Sequence, residues 1–262
     1  MEGLVLRRTL ERLVKANGGR VPPPTGEASL APLARTEGRG GTLTTQQVNF
    51  FETFGFLMLP GLLADDIEEI TAGFEEVFAN HESWELTEDI HLNQPRKIIQ
   101  GVLEQAEDAP KLYRDPRVVG TITSLLGPGY EVAPSDGSLF YCDSSWHSDT
   151  YGAPMSRHMV KISLYLDRLS AETGAIRMMP GTNFFQSVYA RTLRRDFTDV
   201  DGPEEVFGVA REDIPAYVLE SEPGDAVVWD YRTIHASFGG GQRRRLLSLN
   251  FKEKAAEPAA AV

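Results

Sequence analysis

The chain has 262 residues, and its 38 acidic side chains outnumber its 26 lysines and arginines, which gives a net charge of −12. A protein this acidic repels the phosphate backbone, so we expect no nucleic-acid partner. Hydrophobic residues make up 41% of the chain, which is enough for a sizeable core and excludes general disorder. The apolar run over residues 54–63 is interrupted by Gly55, Pro60 and Gly61, so we expect no membrane partner either.

Cysteine usage and the first residues bear on location. Cys142 is the only cysteine, which excludes an internal disulfide and a zinc site built from several cysteines. The first residues lack the long apolar stretch and small-residue cleavage site of a secretory signal. We therefore expect a cytoplasmic protein.

The composition predicts three parts along the chain. Residues 1–42 combine a helical spacing of leucines over residues 4–16 with a strap rich in proline and glycine over residues 20–41. Residues 43–252 carry all the regular patterns and form the predicted domain. Residues 253–262 are alanine-rich and are expected to be a flexible tail.

The predicted domain begins with helices. Thr44 can cap a helix that continues to Phe54, with Val48, Phe51 and Phe54 on one apolar face. Residues 56–59 predict a short buried strand. A second helix, capped by Asp65 or Asp66, is expected to end near residue 80.

After Pro134 the pattern changes to short apolar runs separated by Gly/Pro turns. The runs cover residues 139–141, 160–166, 175–179, 216–219, 226–229 and 246–251. Many short strands at this spacing favour a sandwich or barrel over a parallel α/β sheet. The predicted fold class is therefore mainly β with flanking helices. Residues 91–101 and 184–211 lack periodicity and are expected to be loops at the mouth of the barrel.

The residues with metal-binding chemistry lie next to the predicted strands. In an extended segment, His147 and Asp149 point to the same face and can bind two adjacent positions of one metal ion. His235 is the candidate third ligand, and Asp230 and Arg232 are expected to pair and brace its strand. Two histidines and one carboxylate are the ligand set of non-haem Fe(II) oxygenases.

Several motifs, taken in order, resemble the phytanoyl-CoA dioxygenase family, and the resemblance covers roughly residues 43–252. Leu43-Thr44, Phe50-Phe51 and the segment from Gly55 to Gly61 resemble the opening of that family. The later motifs are His147-x-Asp149, residues 171–177 leading to Pro180-Gly181-Thr182, Gly224-Asp225, and His235 followed by arginine. The resemblance implies a double-stranded β-helix (jelly-roll, cupin-like) core supported by the N-terminal helices.

The resemblance also implies the cofactors: Fe(II), 2-oxoglutarate as cosubstrate, and O2. His147, Asp149 and His235 match the family's iron ligands. Arg244 matches the arginine that binds 2-oxoglutarate, because Arg-x-x-x-Ser-x-x-Phe aligns with residues 244, 248 and 251. A shift of one residue leaves Arg243 or Arg245 as alternatives. Ser237 matches a position that can hydrogen-bond the cosubstrate carboxylate.

The chain departs from the family near the motif with His147. Family members often have a lysine at the end of the preceding strand, where this chain has Cys142 and Asp143. Lys161 is the candidate substitute, since strand alternation puts it on the face that would line the barrel; the alternative is a lysine that reaches solvent. The candidate substrate contacts are Tyr141, His158 and Ser163.

The predicted activity is oxidation of an unactivated C–H bond in a small-molecule metabolite or natural-product intermediate, with succinate and CO2 as co-products. Hydroxylation is the expected outcome, and desaturation or cyclisation would use the same residues. Halogenation is not expected, because related halogenases replace the carboxylate that Asp149 supplies. The alternatives are a cupin-like isomerase or lyase without 2-oxoglutarate, and a non-catalytic jelly-roll binding module. The sequence leaves open whether the protein is a monomer or a homodimer.

Overall fold

A computed structural model describes residues 41–80, 84–85, 96–105, 110–150, 155–197, 205–206, 208–241 and 243–255. The helix expected over residues 4–16, nearly all of the strap and most of the tail lie outside these residues. Within the described part of the chain, no helix is long and apolar enough to cross a membrane.

The first helix, α1 (Thr45–Phe54), begins and ends as the sequence predicts. Thr44 and Gln47 form a capping box: the Thr44 hydroxyl accepts from the Gln47 amide, and the Gln47 side chain accepts from the Thr44 amide. Gly55 ends the helix at φ +85°, a conformation that glycine adopts without strain. The buried side of the helix holds Gln47 and Phe51. Phe54, expected on the same face, is 38% exposed because it lies at the helix end beyond the edge of the core.

The other helices lie outside the sheets and cover them. A 3-10 turn (Ala64–Asp66) leads into the second helix, whose buried side chains are Ile70, Phe74 and Val77. The helices after α1 are α2 (Ile67–Asn80), α3 (Val102–Gln105), α4 (Pro110–Arg114), α5 (Pro116–Leu126) and α6 (Val188–Phe197). Another 3-10 turn covers Arg211–Asp213.

The strands form two antiparallel sheets that face each other, as a double-stranded β-helix requires. The large sheet has the order β1 (Phe56–Leu59), β11 (Ala226–Asp230), β6 (Met159–Tyr165), β13 (Arg244–Lys252), β4 (Glu131–Phe140), β3 (Arg96–Gln100) and β2 (Trp84–Glu85). The small sheet has the order β10 (Tyr217–Leu219), β7 (Ile176–Met178), β12 (His235–Ser237) and β5 (Ser144–His147). A separate hairpin joins β8 (Glu205–Val206) and β9 (Val209–Ala210). The predicted jelly-roll fold class is confirmed.

Strand alternation divides the core into layers. On the outer face of the large sheet, side chains such as Ile162, Leu247 and Leu249 pack against α1, α2 and α5. Between the sheets, a second cluster includes Tyr165, Met178 and Trp229. On the outer face of the small sheet, a third cluster includes Trp146, Phe197 of α6 and Phe238. The space between the two sheets that the apolar clusters do not fill is the interior of the barrel, and polar side chains of the inner faces line it.

Two segments expected to be loops contain regular structure. Residues 96–100 of the first form β3, which lies between β4 and β2 in the large sheet. Residues 188–197 of the second form α6, whose buried side includes Leu193 and Phe197. The sequence missed both because β3 is half polar, and because α6 contains several arginines that mask its apolar side.

Candidate metal centre and cosubstrate pocket

Two neighbouring strands of the small sheet bring together the three candidate iron ligands. His147 is the last residue of β5 and pairs in register with His235, the first residue of β12. Asp149 follows two residues after His147. One ligand atom from each of the three side chains lies within 4.8 Å of the other two. The sequence motif therefore becomes a compact cluster of two imidazoles and one carboxylate.

Backbone carbonyls orient both imidazoles. His147 Nδ1 lies 2.7 Å from the carbonyl of Ser145, and His235 Nδ1 lies 2.9 Å from the carbonyl of Thr233. An imidazole whose Nδ1–H donates to a carbonyl keeps Nε2 as the nitrogen with a free lone pair. Burial also lowers the pKa of His235, although the nearby Asp149 opposes this shift, so the neutral, metal-binding form is favoured.

Asp149 is held by two side chains of the large sheet. The indole Nε1–H of Trp229 donates to Asp149 Oδ2 over 2.9 Å, and the ammonium of Lys161 lies 3.4 Å from the same oxygen. The other oxygen, Oδ1, lies 3.9 Å from His235 Nε2. Burial acts to raise the pKa of Asp149, but Lys161 and the two histidines outweigh burial and keep this pKa well below its usual range. The group is therefore a carboxylate with one oxygen directed to the histidines.

Arg244 begins β13 and is only 2% exposed. Its Nη1 donates to the carbonyl of Gly174 over 2.8 Å and also to the hydroxyl of Ser237, while Nη2 donates to the carbonyl of Cys142. Its Nε is buried, and no described residue accepts a hydrogen bond from it. A Cβ at Gly174 or Gly240 would lie within 2.8 Å of the guanidinium, so both glycines leave room for it.

Of the three consecutive arginines, only Arg244 points into the barrel. Arg243 pairs with Glu75 on the surface, with 2.9 Å between the charged groups. Arg245 pairs with Glu75 and with Asp167 on the outer side of the sheet. The alternation read from the sequence therefore selects the middle arginine, as predicted.

The triad and Arg244 line a single cavity of about 370 Å³. Lys161 also lines it and its side chain is 12% exposed, so the alternative of a lysine that reaches solvent is wrong. Lys161 faces Asn250 across β6 and β13, and Asn250 is six residues from Arg244 along β13, which is roughly 20 Å. The Lys161 ammonium therefore lies beside Asp149, while its backbone is about six strand residues from that of Arg244.

The three candidate substrate contacts do not line this cavity. Tyr141 follows β4 and is 42% exposed. His158 contacts Asp230 over 2.7 Å and lines a different cavity, together with Arg232. Ser163 is fully buried against Ser248, with 3.1 Å between the hydroxyl oxygens. The expected pairing of Asp230 with Arg232 is confirmed, and it braces the turn before His235.

Sequence reasoning missed several side chains that line the cavity. Trp229 was expected only as part of an apolar strand. Tyr165 shares the face of Lys161 on β6, and burial raises its pKa to about 12, so its hydroxyl stays neutral beside Arg244. Arg96 pairs in register with Phe140, whose ring lies between Arg96 and Arg244. Strand parity was the available signal for Tyr165, but nothing local marked Arg96, since β3 was not predicted.

The residues present fit an iron ion and 2-oxoglutarate. Two imidazole nitrogens and one carboxylate oxygen are the donor set of non-haem Fe(II) centres. The unpartnered buried Nε of Arg244 shows that its guanidinium still has a donor to offer. A planar guanidinium suits a carboxylate, and the acidic cosubstrate has a carboxylate at each end.

Comparisons with known proteins agree with this geometry. The chain matches the family described as phytanoyl-CoA dioxygenase (PhyH) over residues 51–246. No protein of curated function matches the chain by sequence.

Solved structures match at low sequence identity. One is the non-haem α-ketoglutarate-dependent carbocyclase SnoK from nogalamycin biosynthesis (17% identity, 82% of this chain and 86% of that one, TM-score 0.66). Another is the epimerase SnoN from the same biosynthesis (17%, 79% and 80%, TM-score 0.63). A third is EctD from S. alaskensis (17%, 84% and 82%, TM-score 0.60). At this identity the structures support the fold.

Proposed function

We propose a reaction for this chain from the premise that it belongs to the phytanoyl-CoA dioxygenase family, which the match over residues 51–246 establishes. It is an oxygenase that depends on iron and 2-oxoglutarate. Our proposal is that it hydroxylates an unactivated C–H bond of a small-molecule metabolite or natural-product intermediate. We also propose that the oxygenase domain extends over residues 43–252.

The proposed iron ligands are His147, Asp149 and His235. The histidines would bind through Nε2, because their Nδ1 atoms face backbone carbonyls. Asp149 would bind through Oδ1, because Trp229 and Lys161 hold its other oxygen. Three ligands on one triangular face leave positions for a cosubstrate and for oxygen.

The observation that carries the proposal is Arg244, a buried guanidinium with an unpartnered Nε in the same cavity as the triad. We propose that Arg244 and Ser237 hold the distal carboxylate of 2-oxoglutarate. When bound, iron and 2-oxoglutarate supply the oxidation, with succinate and CO2 as co-products. The cavity walls exclude water and orient the substrate. Lys161, beside Asp149, is proposed to position that ligand.

Hydroxylation is proposed because it needs no group beyond the triad and the cosubstrate. The carbocyclase SnoK and the epimerase SnoN share the fold, so cyclisation and epimerisation are competing outcomes. Desaturation, which would use the same residues, is a third. Halogenation is disfavoured, since Asp149 is present. SnoK and SnoN both act in nogalamycin biosynthesis, which supports a natural-product intermediate as the substrate of this chain. Mass spectrometry of the product separates hydroxylation, which adds one oxygen atom, from these outcomes, which add none.

An anaerobic titration with Fe(II) and 2-oxoglutarate tests the proposal. We expect a weak visible charge-transfer band that requires both components, and its loss in Asp149→Ala. Iron binding without a band on addition of 2-oxoglutarate would favour a cupin-like isomerase or lyase. Folded protein that binds neither component would favour a non-catalytic jelly-roll module.

A further inference from the structure

Four polar side chains lie side by side across the large sheet, at the end of the cavity away from Arg244. Gln100 on β3 pairs in register with Asp136 on β4. The Asn250 amide donates to Asp136 over 2.9 Å, and Asn250 in turn pairs in register with Lys161 on β6. All four line the cavity that holds the triad. We name Gln100, Asp136, Asn250 and Lys161 the polar row.

Asn250 has a hydrogen-bond acceptor with no partner. Its Nδ2 donates to Asp136 and, over 2.7 Å, to the carbonyl of Pro134. Both partners are acceptors, so they settle the orientation of the amide. The Oδ1 atom is therefore the remaining group; it is buried, and no described residue donates to it. Asn250 is 5% exposed and lines the cavity, so a ligand donor that reached Oδ1 would supply the hydrogen bond that the described residues leave unmet.

Within the polar row Asp136 and Lys161 carry opposite charges, and a further cation, Lys252, lines the same cavity two residues beyond Asn250 on β13. The Lys161 ammonium lies 3.8 Å from Asp136 and 3.4 Å from Asp149. An anionic substrate group placed here would meet Asp136, and a cationic group would meet Lys161. Each would bring a like charge into a half-buried site.

The two arginines that line the cavity, Arg96 and Arg244, lie away from the polar row. Phe140, which separates Arg96 from Arg244, is four residues from Asp136 along β4, which is roughly 13 Å. The polar row and the arginines therefore form two chemically different ends of one cavity.

We propose that the polar row binds the hydroxyl groups of a neutral, polyhydroxylated substrate such as a sugar ring. A hydroxyl donates one hydrogen bond and accepts others. Neighbouring hydroxyls can therefore donate to Asn250 Oδ1 and Asp136 and accept from the Lys161 ammonium. Tyr231 lines the same cavity, and the Lys161 ammonium lies over its ring, 5.1 Å from the ring centroid, so the aromatic side chain stands next to the polar row. This inference rests on the proposed function, because the substrate must reach the iron that the triad holds.

A panel of matched small molecules tests the proposal with the full chain, Fe(II) and 2-oxoglutarate. The probes are phenyl glycosides of neutral hexoses, with tetrahydropyranyl phenyl ether as the hydroxyl-free match. Phenylalkanoates and phenylalkylamines are the charged matches. The readouts are the rate of succinate formation in air and the shift of the anaerobic charge-transfer band. We expect one or more glycosides to raise succinate formation and shift the band, and the matches to do neither.

Variants connect the response to the polar row. Asn250→Leu should weaken the apparent affinity for the active glycoside up to about tenfold, the effect of one hydrogen bond. Ser248→Ala removes a polar group from the same strand outside the cavity and should leave the affinity unchanged. Gln100→Ala changes an exposed side chain and should weaken the affinity for the active glycoside about threefold. This variant replaces Asn250→Leu as the test if Asn250→Leu does not fold.

Three results would overturn the inference: no response to any glycoside, an equal response to a charged or hydroxyl-free probe, or unchanged affinity in both polar-row variants. Formation of the Fe(II)–2-oxoglutarate band without added probe is the separate check on the proposed function. If that band forms and the glycosides fail, only the polar row is misassigned. If it does not form in folded wild-type protein, the proposed oxygenase site fails, and this inference with it.

Discussion

The two faces of the large sheet use the same strands for different purposes. On β13, Leu247 and Leu249 point outward into the apolar layer beneath the helices, while Arg244 and Leu246 line the cavity. On β6, Ile162 is buried outward and Lys161 faces the cavity. Alternation of period two therefore puts a packed core on one side and a reactive site on the other.

The difference between the faces lies in how their groups are satisfied. The apolar side chains of the outer face stabilise the fold by packing against apolar neighbours, and they need no ligand to do so. Inner polar groups keep unmet hydrogen-bonding capacity, such as Arg244 Nε and Asn250 Oδ1. A buried polar group without a partner costs stability, so these two groups, on residues that line the triad's cavity, are candidates for ligand contacts. Substitutions on the two faces should therefore separate stability from binding.

The largest effect is expected on the outer face, with Leu249→Ala. Leu249 is fully buried, and its truncation leaves a cavity, so the free energy of unfolding should fall by about 2–5 kcal/mol. Urea denaturation measures this loss. Below the transition, the variant should keep the wild-type affinity for Fe(II) and 2-oxoglutarate. A variant that is as stable as the wild type but has lost cosubstrate binding would break the division between the faces.

The next effect is expected on the inner face, with Arg244→Ala. Loss of its charge-assisted hydrogen bonds should weaken 2-oxoglutarate binding at least about a hundredfold, with Fe(II) affinity retained. Anaerobic titration of the charge-transfer band measures both affinities. Arg243→Ala is the matched control, because Arg243 pairs with Glu75 on the surface. Unchanged cosubstrate affinity in Arg244→Ala would contradict the assignment of the carboxylate-binding residue.

A smaller inner-face effect is expected for Trp229→Phe. The substitution keeps an aromatic ring but removes the Nε1–H that holds Asp149 Oδ2. Loss of a hydrogen bond to a metal ligand should weaken Fe(II) affinity about tenfold. Isothermal titration with Fe(II) under anaerobic conditions measures the change. Trp146→Phe removes an indole on the outer face of the small sheet, so it should keep wild-type affinity; equal losses in both variants would indicate a general packing effect.

Much of the fold and of the central site could be predicted because the signals were local. Thr44 and Gln47 form the predicted cap, since capping depends on residues three apart in the chain. Arg244 was distinguished from its neighbours because strand alternation depends only on parity. Strand β3 and helix α6 were missed, since their patterns are weak. Pairing of β3 with β4 and burial of α6 against Trp146 supply the missing stabilisation.

The three substrate contacts expected from the sequence do not line the cavity that holds the triad. His158 precedes an inward-facing strand, yet it turns to the buried carboxylate of Asp230, 72 residues later. Tyr141 lies one residue beyond β4 and is largely exposed. Neither outcome has a local signal, because each depends on a partner, or the lack of one, on another part of the chain.

By itself, the sequence determined the fold class, the identity of His147, Asp149 and His235 as a set, and the face to which Arg244 belongs. These follow from motif order and from periodicity, which are properties of short stretches. The tertiary structure alone decided that Lys161 stands beside Asp149, and that Asn250 Oδ1 finds no donor among the described residues. The physical reason is that both depend on the register between strands far apart in the chain, and register is set by the packing of the whole barrel.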